Sequence, residues 1–142
     1  MKELPLTGIR IIDFGWELAS PVAGRFLGMC GADVIRVEFD KRPDPIRLGT
    51  MPDLKYEGDW WEKGGRYHCV NADKRAICLN VNHPEGKKWF KRMVKESDAI
   101  IENFAPRVLP NLGLDYPALQ GLKPDIILVA SSAFGNLGPY KD

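Results

Sequence analysis

The sequence predicts an α/β fold built on a mostly parallel sheet with helices on both faces. Three observations carry this. Short apolar runs of strand length recur along the chain, bounded by turn residues. Stretches of helix length, with apolar residues three and four apart, alternate with them. The runs are continuous rather than alternating, as in strands covered on both faces. Strand and helix in alternation build parallel sheets.

Gly8 to Phe39 is the unit around which the rest is organised. Ile9, Ile11 and Ile12 form a first strand ending at Asp13-Phe14-Gly15, followed by a loop from Trp16 to Ser20. Ser20-Pro21 reads as a helix start, with the hydroxyl as cap and proline at the first helical position. Val22, Phe26, Leu27 and Met29 give the helix an apolar side, and Gly31 ends it in the left-handed conformation that glycine adopts cheaply. Val34, Ile35 and Val37 form the second strand. A strand-helix-strand unit of about thirty residues is a minimal, right-handed parallel crossover. It aims the helix N-terminus beyond the strand ends.

Asp40 to Asp73 predicts a long irregular loop, rich in proline and glycine. Loops beyond about fifteen residues are commonly functional or mobile. Its rings, Trp60, Trp61 and Tyr67, either tuck the loop onto the core or cover a ligand. Ala76 to Val81 is the third strand. Asn82 caps a helix with Pro84 in its first turn and Glu85 three residues past the cap. Trp89, Met93 and Val94 are its buried stripe, and Lys87, Lys88, Lys91, Arg92 and Lys95 a basic stripe that reads as a solvated face, with phosphate binding as the alternative. Asp98 to Phe104 is the fourth strand. Pro106 to Leu122 holds one or two short helices broken near Pro110 and Gly113. Asp125 to Ala130 is the fifth strand, and Ser131 to Asp142 a glycine-rich loop.

The 142 residues fit one domain. With 44% apolar and 27% charged residues the chain is globular in composition. A net charge of +1 gives no bulk field toward nucleic acid or an anionic membrane. No apolar run reaches the roughly twenty residues of a membrane span, and the N-terminus lacks a signal peptide's apolar core. The expected location is the cytoplasm. Cys30, Cys69 and Cys78 have no metal-ligand spacing, and Cys30 and Cys78 read as buried thiols. His68 and His83 read as surface or capping residues.

In a doubly wound sheet, ligands sit beyond the carboxyl ends of the strands. That places Trp16 to Ser20, Phe39, Val81-Asn82, Asn103 to Ala105 and Ser131 to Gly135 at one rim, suited to a phosphate- or nucleotide-shaped ligand. A dinucleotide site wants G-x-G-x-x-G at the first turn, and Gly15-Trp16-Glu17-Leu18-Ala19-Ser20 lacks it, although Glu38 is placed for a ribose. No nucleophile elbow, Cys/His pair or carboxylate dyad follows from spacing. Asp13 reads as a ligand of backbone N–H groups in the loop beside it. Ser131 and Ser132 read as ordinary strand-end residues.

Several motifs occur together and in order: GADVIRVE, NADKRAICLN, HPEG, IIENF and FGNLGPY. They resemble the N-terminal part of the class III CoA-transferases, the family of formyl-CoA transferase, the carnitine CoA-transferases and α-methylacyl-CoA racemase. The resemblance covers the chain except about Asp40 to Tyr67. It implies a Rossmann-like large-domain segment that binds CoA or an acyl-CoA as substrate, with no permanently bound cofactor. The implied CoA-binding positions are Glu17, Leu18, Phe39, Leu79, Asn80, Val81, Asn82, Asn103, Phe104, Ala105 and Asn111. The implied reaction moves CoA between carboxylic acids through a covalent aspartyl intermediate, with racemase or isomerase chemistry or a non-catalytic CoA-binding subunit as alternatives.

Two departures matter. Basic residues common in the family stand as Phe39, Asn82 and Asn111 here, so Arg36, Lys41 or Arg42 is expected to replace them against phosphate. Family members are also much longer. Residues 1–142 are expected to be an incomplete CoA-binding domain, without the small domain and catalytic aspartate. An interlaced homodimer or a second, completing chain is the expected partner.

Overall fold

The computed structural model describes residues 3–48 and 56–141. Five strands form one all-parallel sheet: β1 (Arg10–Asp13), β2 (Asp33–Glu38), β3 (Lys74–Cys78), β4 (Ala99–Glu102) and β5 (Ile127–Ala130). Their spatial order is β3-β2-β1-β4-β5. Ile12 faces Ile35 on one side and Ile100 on the other. The chain winds outward from β1 to β3, then returns to lay β4 against β1. That reversal opens a crevice at the carboxyl ends of the strands.

The helices are α1 (Ala19–Met29), α2 (Gly65–Asn71), α3 (Pro84–Lys95), α4 (Val108–Leu112) and α5 (Tyr116–Leu122), with 3₁₀ turns at Pro45–Arg47 and Trp60–Glu62. The larger core joins Ile12, Val37 and Ile100 to Phe90 and Val94 of α3 and Leu119 of α5. On the other face Ile11, Val34 and Ile101 meet Leu27 of α1. Ile46, Tyr67 and Val70 close a third cluster against Val22.

Local details depart from the sequence reading. Leu18, not Ser20, precedes α1, and its side chain makes no cap bond. Ser20 is buried, with its hydroxyl donated to Asp13 Oδ1 at 2.9 Å. A neighbouring carboxylate has taken it from the capping role. The buried residues of α1 are Ser20, Pro21 and Gly24, whereas Phe26 and Met29 are exposed. Gly31 does end the turn at φ +100°.

The cap of α3 is His83, whose Nδ1 accepts from Glu85 N at 3.3 Å, with Pro84 as the first helical residue. Asn82 lies one residue too early to cap. Gly86, Phe90 and Val94 are the buried residues of α3, and Trp89 is exposed. β3 begins at Lys74 and ends at Cys78, so Leu79 to Val81 leave the sheet before the third apolar run is finished. α2 lies inside the stretch read as irregular. Residues 49–55 of that stretch lie outside the described residues.

The outer strands are not covered on both faces. Ile77 on β3 and Ile127 and Val129 on β5 are exposed. All three cysteines are exposed as well, because Cys30 follows the end of α1, Cys69 lies on the outer side of α2, and Cys78 ends β3. Apolar periodicity cannot distinguish a central strand from an edge.

Candidate functional site

The rim rests on a buried ionic cluster. Asp13 at the end of β1 is fully buried and accepts from Lys74 Nζ at 2.7 Å, Ser20 Oγ at 2.9 Å, and Gly15 N and Arg36 Nη1 at 3.4 Å. Arg36 on β2 is also fully buried and pairs with Asp44, while its Nη1 donates to the Gly15 carbonyl. Asp44 accepts from Glu17 N at 3.0 and 3.1 Å and from Ile46 N at 3.0 Å. One arginine thus ties the loop after β1 to the loop after β2. Burial pulls the Lys74 ammonium below its ordinary pKa, and the attraction of Asp13 offsets part of that.

Arg47 continues the cluster outward. Its Nε donates to Glu38 Oε1 at 2.7 Å, and its guanidinium lies 3.4 Å from the centre of the Tyr67 ring. Burial, and then the Glu38 charge, push the Tyr67 hydroxyl above its ordinary pKa. Glu38 is therefore engaged by arginines rather than open to a ribose.

Above this base lies a crevice of about 260 Å³. Its apolar wall is a run of rings. Phe14 meets Phe104 edge-on at 5.3 Å, and Phe104 meets Trp16 edge-on at 5.5 Å. The Arg42 guanidinium lies 4.9 Å from the centre of the Trp16 ring, within reach of a cation–π contact. Trp16 is fixed from behind by Asn103, whose Oδ1 accepts from Trp16 N at 2.7 Å and whose Nδ2 donates to Trp16 O at 2.8 Å.

The crevice gathers Phe39, Phe104, Asn111 and the turn Leu79, Asn80, Val81 and Asn82, all singled out from sequence. The other four named positions do not line it. Glu17 is exposed at φ +60°, with its N–H turned into Asp44. Leu18 is exposed at the start of α1. Asn103 stands behind Trp16, and Ala105 is half-buried beside the opening. Of the three candidate replacement cations, Arg36 is spent on buried carboxylates and Lys41 is exposed away from the lining. Arg42 lines the crevice.

Sequence reasoning underrated Trp16, Phe14 and Val108 as walls. The available signal was Phe14 itself, a large apolar residue continuing the first strand into the loop. The tight turn at Leu79 to Asn82 has a packing cause. Gly86 in the first turn of α3 lies against it, and a Cβ there would fall on the Asn80 carbonyl.

A second cavity, of about 460 Å³, lies beside the outer edge of β3, between Trp60, Trp61, Tyr67 and Cys78. Tyr67 is buried, Trp60 half-buried and Trp61 exposed. These rings pack the loop down and also wall an opening. Arg47 crosses its back, donating to the Trp61 carbonyl at 2.6 Å.

The chain is an α/β segment, a parallel doubly wound sheet with a ring-walled crevice at its topological switch point, the place where open sheets of this class hold ligands. The chain belongs to CoA-transferase family III, whose family model matches residues 6–142. It is 38% identical to the succinate–glutarate CoA-transferase of Agrobacterium fabrum, over 99% of this chain and 35% of that protein. It is 36% identical to the succinyl-CoA–L-malate CoA-transferase beta subunit of Chloroflexus aurantiacus, over 98% of this chain and 33% of that subunit. Among solved structures, a CAIB/BAIF family protein from Brucella suis superposes with a TM-score of 0.85 at 31% identity, covering 99% of this chain and 36% of that one. The chain thus spans about a third of the length of these relatives.

Proposed function

We propose that residues 1–142 form the acyl-CoA-binding segment of a CoA-transferase that moves CoA between carboxylic acids. The observation that carries this is convergence. Phe39, Leu79 to Asn82, Phe104 and Asn111, chosen from sequence as CoA-binding positions, come from four separate stretches and meet at one crevice. Phe39, Leu79, Val81 and Phe104 offer a flat apolar seat for the adenine. Asn80, Asn82 and Asn111 offer amide donors and acceptors, and Arg42 a guanidinium for phosphate. Asn103 holds the loop after β1 against the loop after β4, and Ala105, Glu17 and Leu18 lie outside the lining.

In the proposed reaction an aspartate carboxylate attacks the thioester carbonyl and expels CoA as thiolate, leaving an acyl anhydride. The thiolate then attacks the aspartyl carbonyl, releasing the acyl group as a carboxylate and forming an aspartyl-CoA thioester. The acceptor carboxylate attacks the aspartyl thioester carbonyl and expels CoA thiolate, giving a second mixed anhydride, and the thiolate then attacks the acceptor's carbonyl, forming the new acyl-CoA and freeing the aspartate carboxylate. The resemblance puts that aspartate in the part of the relatives this chain does not span. The partner in this reading is a second copy in an interlaced dimer or a different subunit that completes the enzyme. The Chloroflexus relatives named as alpha and beta subunits support an assembly of more than one chain.

The test is calorimetric titration of the full-length protein with CoA, beside Phe104→Ala. Saturable binding that weakens about tenfold in the variant supports the crevice, since a ring contact and its burial are worth over 1 kcal/mol. Unchanged affinity in the variant, or no binding to the parent protein, overturns it. Transfer of CoA from succinyl-CoA to a labelled carboxylic acid tests the reaction itself.

A further inference from the structure

The crevice is short of positive charge. Its titratable lining consists of Arg42, already lying over Trp16, and Glu38, already paired with Arg47. A CoA carries three phosphate groups, and a phosphate desolvated beside protein needs cationic donors. Next to the crevice runs a second groove along α3, lined by Lys87, Lys88, Lys91, Arg92 and Lys95. Asn82 lines both, so the two adjoin at that residue.

The five cations are not equivalent. Lys88 is largely exposed and pairs with Glu85 at 3.6 Å. Arg92 lies over the Trp89 ring at 5.3 Å. Lys95 is in the last turn, farthest along the helix from Asn82. Lys87 and Lys91 are half-buried, one helical turn apart, and neither pairs with a carboxylate among the described residues. Lys87 begins the groove at the crevice end, one turn into α3.

We infer that Lys87 and Lys91 form a phosphate seat for the nucleotide end of the CoA bound in the crevice. This rests on the crevice reading above and extends it to a surface outside the positions carried over from the family. Adenine in the ring-walled crevice would leave its ribose and phosphates to exit past Asn82, where the two ammonium groups await them.

The experiment measures dissociation constants of the full-length protein for CoA and for 3′-dephospho-CoA, in Lys87→Gln, Lys91→Gln, the double variant and Lys95→Gln, at low and moderate salt. The substituted side chains are at the surface of α3, and circular dichroism checks the fold. Each of the first two variants is expected to weaken CoA about tenfold, the value of one charge-assisted contact. The double variant loses much of the parent protein's salt dependence, because fewer screened charges are engaged. Lys95→Gln stays within twofold. If the pair holds the 3′-phosphate, the losses disappear with 3′-dephospho-CoA. If it holds the diphosphate, they persist with both ligands. Either result supports the seat. A double variant that binds CoA with the parent's affinity and salt dependence overturns the seat and leaves the crevice standing. A parent protein that ignores CoA overturns both.

Discussion

Asn103 holds Trp16 by both of its backbone polar groups, across 87 residues of sequence. The amide oxygen accepts from the Trp16 N–H and the amide nitrogen donates to the Trp16 carbonyl, so one side chain stands in for a missing strand partner. The loop after β1 is thereby locked to the loop after β4. Replacing Asn103 with alanine is expected to cost about 2 kcal/mol, two net hydrogen bonds with their buried groups left unpaired. Urea unfolding measures this. CoA affinity is expected to fall with it, because the Trp16 wall loosens.

Asp44 makes a similar tie from the other side. It pairs with buried Arg36 and accepts the Glu17 N–H. Asp44→Ala removes the nearer carboxylate from the buried Arg36 guanidinium, leaving Asp13 at 3.4 Å and Glu38 at 3.8 Å, and is expected to destabilise by about 2–3 kcal/mol. Adding Arg36→Met to it should recover part of that loss, since the pair is then gone while Lys74 still faces Asp13 and Arg47 still faces Glu38. Denaturation midpoints of the single and double variants check this, and additive losses would refute the pairing account.

Gly86→Ala is expected to be severe for an otherwise favourable helix substitution. A Cβ at this position meets the Asn80 carbonyl, and the turn that supplies Leu79 to Asn82 must shift. A loss of about 3 kcal/mol, from overpacking against backbone, should outweigh the helix gain of roughly 1 kcal/mol. Thermal unfolding decides it, and a stabilised variant would contradict the close contact.

Glu102 gives a pH signature. Burial raises its carboxyl pKa above the ordinary value of 4.5, only partly countered by the Phe104 N–H it accepts at 2.7 Å. A carboxyl raised in the folded state holds its proton longer there than when unfolded. Stability therefore falls as pH climbs from the unfolded value through the folded one, and the full cost remains above that. Glu102→Gln keeps an acceptor for Phe104 and removes the charge. It is expected to be more stable than the parent at pH 7 and equal to it below the unfolded value. Melting temperatures across that range test the sign.

The central strands and the rim were legible in the sequence because Ile11, Ile12, Val34 and Ile100 are apolar in unbroken runs, and a parallel sheet puts its loops at one edge. Phe39 and Asn82 followed from their strand-end positions as well as from motif resemblance, and Asn111 from resemblance alone. What was missed shares one cause, competition by distant partners. Ser20 looks like a cap until Asp13, seven residues earlier, takes its hydroxyl. Arg36 looks like a free cation until Asp13 and Asp44 enclose it. Phe26 and Trp89 fit helical stripes, yet the packed faces go to Gly24 and Phe90. Such choices depend on contacts between elements, which a local pattern does not encode.

The sheet has two outer strands, β3 and β5. Among the described residues β3 and β5 each have no strand on one side, and both carry exposed aliphatic residues, Ile77, Ile127 and Val129. Open backbone donors and acceptors beside greasy side chains are a template for further strands. Residues 1–142 produced in isolation should therefore self-associate as concentration rises, visible as growing light scatter. Lysine in place of Val129 should slow that growth without disturbing the crevice on the opposite side of β4.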